Sequence, residues 1–167
     1  AGFGEQTEAI NAAAVRIARD VAGNRALVAG SVSRTQLFER EGPSAAGHVR
    51  DLISEQIRLL SDAGVDFLIL ETFFHLEEML IAIKCAGESG LPIMATMTFR
   101  PKLTECTDGH SPADCALAMV DAGAGLIDVG ARSTAPYLAT DVSEAEEAER
   151  LVRAVSALVA KIAVPVS

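Results

Sequence analysis

Polar side chains cluster just past short apolar runs in this sequence. They are Ser31, Ser33, Arg34, Thr35 and Gln36 after the first run, Glu71, Thr72 and His75 after the second, Thr98 and Arg100 after the third, and Asp128, Arg132, Ser133 and Thr134 after the fourth. Hydroxyl, carboxylate and guanidinium groups at strand ends can orient a small polar ligand, and barrel enzymes place their chemistry there. Glu71 is the most suggestive of them. An acid closing the run Phe67-Leu68-Ile69-Leu70 stands partly out of water, where it can clamp an ammonium group or act as a base. It can equally cap the following helix or pair with Arg100. His75 stands at a helix entry, where a lone His more often caps the helix or stays at the surface. Cys106, His110 and Cys115, with Asp108 between them, form a loose Cys-x3-His-x4-Cys constellation that could hold zinc. Cys115 falls inside an expected helix, however, where it can pack as a small hydrophobe, and Cys85 reads as core.

These groups need a scaffold. Hydrophobic periodicity predicts helices over 5–22, 45–62, 76–89, 112–122 and 144–160. In the first, Ile10, Ala14, Ile17 and Val21 recur at helical spacing and mark the face expected to meet the core. Ser44, Ser111 and Ser143 stand where caps belong, Pro112 suits a first helical position, and Ser143 with Glu146 makes a capping box. Gly23, Gly64, Gly90 and Gly123 stand where helices should stop. The acidic run 141–149 reads as a solvated helix start. Continuous apolar runs over 26–32, 67–70, 92–99, 125–129 and 163–166 predict strands covered on both faces, as in a parallel sheet.

The alternation of helix and strand fits an open doubly wound sheet or a (β/α)8 barrel, and the chain is short for a whole barrel, which takes about 250 residues. No glycine-rich phosphate fingerprint follows a strand, so the barrel is favoured, as a partial one of four to five βα units in a single α/β domain over 1–167. The 167 residues carry 14 Lys and Arg against 23 Asp and Glu, a net charge of -9, and half of them are hydrophobic. An acidic surface without basic clusters argues against nucleic-acid and membrane partners. The three Cys fit a reducing compartment, and with no secretion signal at the N-terminus the expected location is cytoplasmic. Exposed sheet edges in a partial barrel lead us to expect a homodimer.

Four segments resemble the homocysteine S-methyltransferase family, especially its betaine-homocysteine branch: 5–11, 26–33, Val65-Asp66-Phe67-Leu68-Ile69-Leu70-Glu71-Thr72-Phe73, and 91–97. The likeness covers about 5–99 and extends toward 120. It implies a (β/α)8 barrel, methyl transfer to the sulfur of homocysteine held on zinc as thiolate, and an amino-thiol substrate. Glu71 occupies the position of the glutamate that reaches the homocysteine amino group, and Ser31 and Thr72 join it as substrate-binding candidates. The first of the family's three zinc cysteines falls on Ala131, and the cysteine pair is not met before Ser167, so the resemblance implies that zinc is absent here and catalysis incomplete. Residues 122–167, with Gly125-Leu126-Ile127-Asp128-Val129-Gly130-Ala131-Arg132-Ser133-Thr134-Ala135-Pro136, are similar to the pterin-binding dihydropteroate synthases. That second likeness makes Ser133 and Thr134 substrate-binding candidates and pterin an alternative ligand, with a switch between 100 and 122. The sequence thus leaves open a homocysteine S-methyltransferase-like segment, a non-enzymatic chimeric or truncated scaffold, and a pterin-binding protein.

Overall fold

The computed structural model describes residues 4–99, 105–130 and 142–167. A 3-10 turn at Gly4–Gln6 leads into α1 (Thr7–Ala22), followed by β1 (Ala29–Ser33), α2 (Leu37–Glu41), a second 3-10 turn (Gly42–Ala45) and α3 (Ala46–Asp62). Then come β2 (Phe67–Phe73), α4 (Leu76–Gly87), β3 (Ile93–Met97), α5 (Pro112–Asp121), β4 (Leu126–Ile127) and α6 (Glu144–Val159). All neighbouring strands are parallel, in the order β1-β2-β3-β4. Val166 continues the series with a parallel bridge to Ile127, secured by Ser167 N–H donating to the Ile127 carbonyl at 2.9 Å.

Register and burial divide the sheet into two unlike faces. Gly30, Val32, Leu68, Leu70, Ile93, Ala95 and Ile127 share one face, and every one of them is buried beneath the helix layer of α3, α4 and α5. On the opposite face Ser31 pairs in register with Ile69, Ile69 with Met94 and Met94 with Leu126, and all of these are half-buried or exposed. A doubly wound sheet would bury both faces. Strands in chain order with helices on one side are instead the wall of a (β/α)8 barrel, its inner face turned away from the helices.

The start of β1 is set by a carboxylate. Asp66 accepts a hydrogen bond from the Val28 N–H at 2.6 Å and pairs with Arg19 at 2.8 Å, while its own N–H donates to the Val28 carbonyl. Regular pairing therefore begins at Ala29 rather than at Ala26, and Leu27 is left 72% exposed. Ser111 and Ser143 cap α5 and α6, each accepting the N–H three residues on, but the Glu146 carboxylate turns to Arg150 instead of closing a capping box. Ser44 does not cap α3; it lies inside the 3-10 turn and donates to the Glu41 carbonyl. The short helix α2 escaped the periodicity, because five residues are too few to reveal a period.

The stripe on α1 is a further correction. Val15 is the buried residue of that helix, whereas Ile10, Ile17 and Val21 are 51%, 60% and 70% exposed. The inward face of α1 carries Val15 and Ala22 together with Asn11, which accepts from Gln56 of α3 at 2.8 Å, and the expected stripe faces outward.

Gly30 sits where β1 touches the helix layer most closely. A Cβ there would stand 3.2 Å from each of Leu60, Val65 and Leu68, all buried branched side chains. Gly30→Ala is expected to cost about 1–3 kcal/mol by overpacking, measured by urea unfolding. An unchanged midpoint would show that this face is less tightly packed than described.

Candidate functional site

The strand ends bring Ser31, Ser33 and Glu71 together on the inner face. Ser33 is in register with Glu71, and the Ser31 hydroxyl donates to Glu71 Oε1 at 2.6 Å. No other hydrogen bond reaches the Glu71 carboxylate among the described residues. Glu71 does not cap α4 and is half-buried, and Arg100, its other suggested partner, lies outside the described residues.

A backbone irregularity aims this acid. Between the pairs Leu70↔Ala95 and Phe73↔Met97, β2 holds one residue more than β3, a bulge at Glu71 and Thr72. Thr72 has φ 65°, a left-handed conformation costly for a β-branched residue. The extra residue returns Phe73 to the helix-facing side, where it is wholly buried, while Glu71 stays on the inner face. Such strain persists only where the surroundings over-determine it, and it clusters at functional sites. Thr72 itself is exposed beside Glu71.

A cleft of about 590 Å³ runs between β1 and α3, lined by Ser31, Ser33 and Thr35 on one side and by Ile53, Glu55 and Gln56 on the other; it shares Ser31 and Ser33 with the Glu71 cluster, and Glu71 itself does not line it. Glu55 and Gln56, within the helix expected over 45–62, were not singled out in the sequence. Neither was Glu78, which is fully buried on α4 and accepts from both the N–H and the hydroxyl of Thr35 at 2.8 Å. One signal was available: Glu78 shares a helix face with Ala82 and Cys85, four and seven residues on, and both are core.

The segment after β3 folds back over the entry to α4. Thr107 N–H donates to the Phe74 carbonyl at 2.9 Å, and the Asp108 carboxylate accepts from Leu76 N–H at 3.0 Å and Glu77 N–H at 3.2 Å. Asp108 thereby caps α4 from a distant loop, while His75, at the N-cap position, makes no side-chain cap and instead packs its ring 5.8 Å from Phe38. The Cys106 thiol also donates to Asp108, at 2.8 Å, and Cys115 Sγ lies 3.7 Å from Cys106 Sγ. Burial above all, with Asp108 next, pushes the Cys106 thiol up; burial, then Cys106, does the same to Cys115. Thiols held in that state are poor nucleophiles. The side chain of His110 does not join them. Among the described residues no group of three His, Cys, Asp or Glu side chains is arranged to hold a metal ion, so the Cys106, His110, Cys115 constellation does not assemble as a site. Cys85 is buried against the Arg50 carbonyl, 3.9 Å away.

A sequence model described as homocysteine S-methyltransferase matches residues 1–164. The chain belongs to the homocysteine S-methyltransferase family. The match runs through residues 122–164, the segment with pterin-binding likeness, as part of the same stretch. Ser133 and Thr134 lie outside the described residues, as does Ala131. Among relatives in this family, S-methylmethionine–homocysteine S-methyltransferase of Pongo abelii is 37% identical over 128 residues, 75% of this chain and 34% of the relative. Betaine–homocysteine S-methyltransferase 1 of Rattus norvegicus is 37% identical over 146 residues, 85% of this chain and 35% of the relative. The chain thus spans about a third of the length of these curated relatives. The apo homocysteine methyltransferase MmuM from Escherichia coli superposes with a TM-score of 0.63 over 97% of this chain and 67% of its own; at 17% identity that likeness is one of fold.

Burial alone would hinder ionisation of Asp108, yet the Cys106 thiol and the N–H groups of Leu76 and Glu77 together hold its carboxyl below the usual range. A depressed carboxyl contributes stability above its unfolded value and loses it as pH falls through the folded one. Asp108→Ala is therefore expected to cost about 1 kcal/mol at pH 7, with the gap from wild type closing from about pH 4 downward. Urea unfolding of both chains across that range checks this; a gap independent of pH would contradict the cap.

Proposed function

We propose that this chain binds homocysteine as the methyl acceptor of a family barrel, with Glu71 holding the substrate's ammonium group. The observation that carries the reading is a half-buried carboxylate at the end of β2, aimed by a strained bulge and oriented by Ser31, in a member of this family. Ser31 occupies one oxygen and fixes the carboxylate plane, which leaves the other oxygen to accept an ammonium N–H. A charge-assisted bond of that kind contributes about 1.5–3 kcal/mol when water is partly excluded. The methyl donor is then a sulfonium or quaternary ammonium compound, the classes named for the two relatives as S-methylmethionine and betaine.

The described residues do not fit the zinc of the family. Cys106 is engaged with Asp108, Cys85 lies beneath α3, and no three ligating side chains converge. A second reading is a barrel segment that binds the amino-thiol without turning it over.

Calorimetric titration separates the two levels. Wild type is expected to bind L-homocysteine more tightly than 4-sulfanylbutanoate, which lacks the amino group. Glu71→Gln should lose about tenfold or more in homocysteine affinity and with it the discrimination. Equal affinity of wild type and Glu71→Gln for homocysteine would sink the proposal. Methyl transfer assayed with added zinc distinguishes the enzyme from the binding segment.

A further inference from the structure

Glu78 is the one charged side chain fully buried among the described residues, and the homocysteine reading above gives it no task. Taking a carboxylate out of water costs several kcal/mol, and a hydrophobic residue of similar volume is often as good or better for stability. Glu78 lies on α4 among core neighbours such as Met79, Ala82 and Ile83, so an apolar side chain would suit the packing. The carboxylate instead spends Oε1 on Thr35, accepting its N–H and its hydroxyl, both at 2.8 Å, while Oε2 has no hydrogen-bond partner among the described residues.

Thr35 belongs to the loop leaving β1, two residues after Ser33. The next residue, Gln36, is held at φ 67°, a left-handed conformation that a non-glycine residue adopts only under constraint. Arg34 is fastened as well: its guanidinium stacks 4.6 Å from the Phe74 ring centroid and pairs with Glu39. Phe74 and Glu78 both follow Glu71 on the β2–α4 segment. The loop that carries β1 out of the sheet is thus tied to the segment that carries the acid. Ser31 and Ser33 sit at the end of β1, the first on Glu71 Oε1 and the second in register with Glu71.

We propose that Glu78 is a positioning residue for ligand binding: through Thr35 it fixes the exit of β1, and so the placement of Ser31 and Ser33 against Glu71 and the cleft. The inference rests on the homocysteine reading and deepens it. Unlike a general contribution to the core, it predicts a local effect. Without the clamp the Thr35 N–H and hydroxyl lose their acceptor, residues 34–38 open, and the hydroxyl that orients Glu71 drifts while the β2–β3 pairing stays.

The test combines titration with L-homocysteine and amide hydrogen exchange on the whole chain. Glu78→Met, which keeps the volume and removes both oxygens, is expected to weaken binding at least tenfold and to speed exchange at Thr35 while the β2 and β3 amides keep their protection. Glu78→Gln retains an acceptor oxygen for both Thr35 donors and should stay within a few-fold of wild type. Should Glu78→Met fail to fold, Thr35→Val, which leaves the core untouched and removes only the hydroxyl, is expected to weaken binding a few-fold. Wild-type affinity in Glu78→Met or in Thr35→Val, or unchanged exchange at Thr35 in a folded Glu78→Met, would overturn the proposal. Wild-type protein that takes up no homocysteine would instead overturn the functional reading and the inference with it, whatever the exchange pattern.

Discussion

Leu70 and Phe73 are both wholly buried on the helix-facing side of β2, yet they stand three residues apart in a strand whose faces alternate every second residue. The two requirements are compatible only if a residue is inserted between them. The insertion falls at Glu71 and Thr72, and from it follow the left-handed Thr72, the shift in register against β3, and an acid held on the inner face just where the strand ends. Packing of the aromatic ring against the helix layer and aiming of the carboxylate are one constraint. Removing the bulge while keeping the strand would bring Thr72 to the buried side and Phe73 to the inner face.

The layout of helices and strands could be read from periodicity, because each βα unit buries one stripe of a helix against one face of a strand. The parity of β2 could not. Phe67 to Phe73 is apolar at nearly every position up to the acid, so nothing in its pattern says which residues share a face. Continuous apolar strands were expected to be covered on both sides, but the inner face holds Ala29, Phe67, Ile69 and Met94 only half-buried. Apolarity reports that a surface prefers to be covered and says nothing of what covers it. The same holds for α1: its stripe of Ile10, Ile17 and Val21 is exposed, while the face that turns inward carries Val15, Ala22 and the Asn11 bonded to Gln56.

The candidate site was half legible. Glu71 and Ser31 could be singled out as residues at strand ends, but their mutual hydrogen bond depends on register, which a single sequence does not reveal. Glu78 was harder to read for a different reason. An acid beside Glu77 reads as a solvated doublet, and the one counter-signal is its helical spacing to Ala82 and Cys85, both buried on the same face. Cys106, His110 and Cys115 had a spacing compatible with zinc, but spacing leaves direction free. The cysteines turn inward, and the Cys106 thiol goes to Asp108.

The acids of this sheet then sort by what they accept. Asp66 takes the N–H of Val28 and locks the start of β1; Glu78 takes the N–H of Thr35 at the strand's exit; Asp108 takes those of Leu76 and Glu77 at the head of α4. Each is committed to backbone groups from a distant segment, bonds that cannot be given up without leaving donors unpaired. Glu71 differs. Its partner is a side-chain hydroxyl on one oxygen, so a ligand can engage the carboxylate without breaking any backbone bond. Three acids hold the strand ends and loops in place, and that fixed surround is what keeps the fourth oriented and partly desolvated with no backbone donor on it among the described residues, the condition that the proposed recognition of a cation requires.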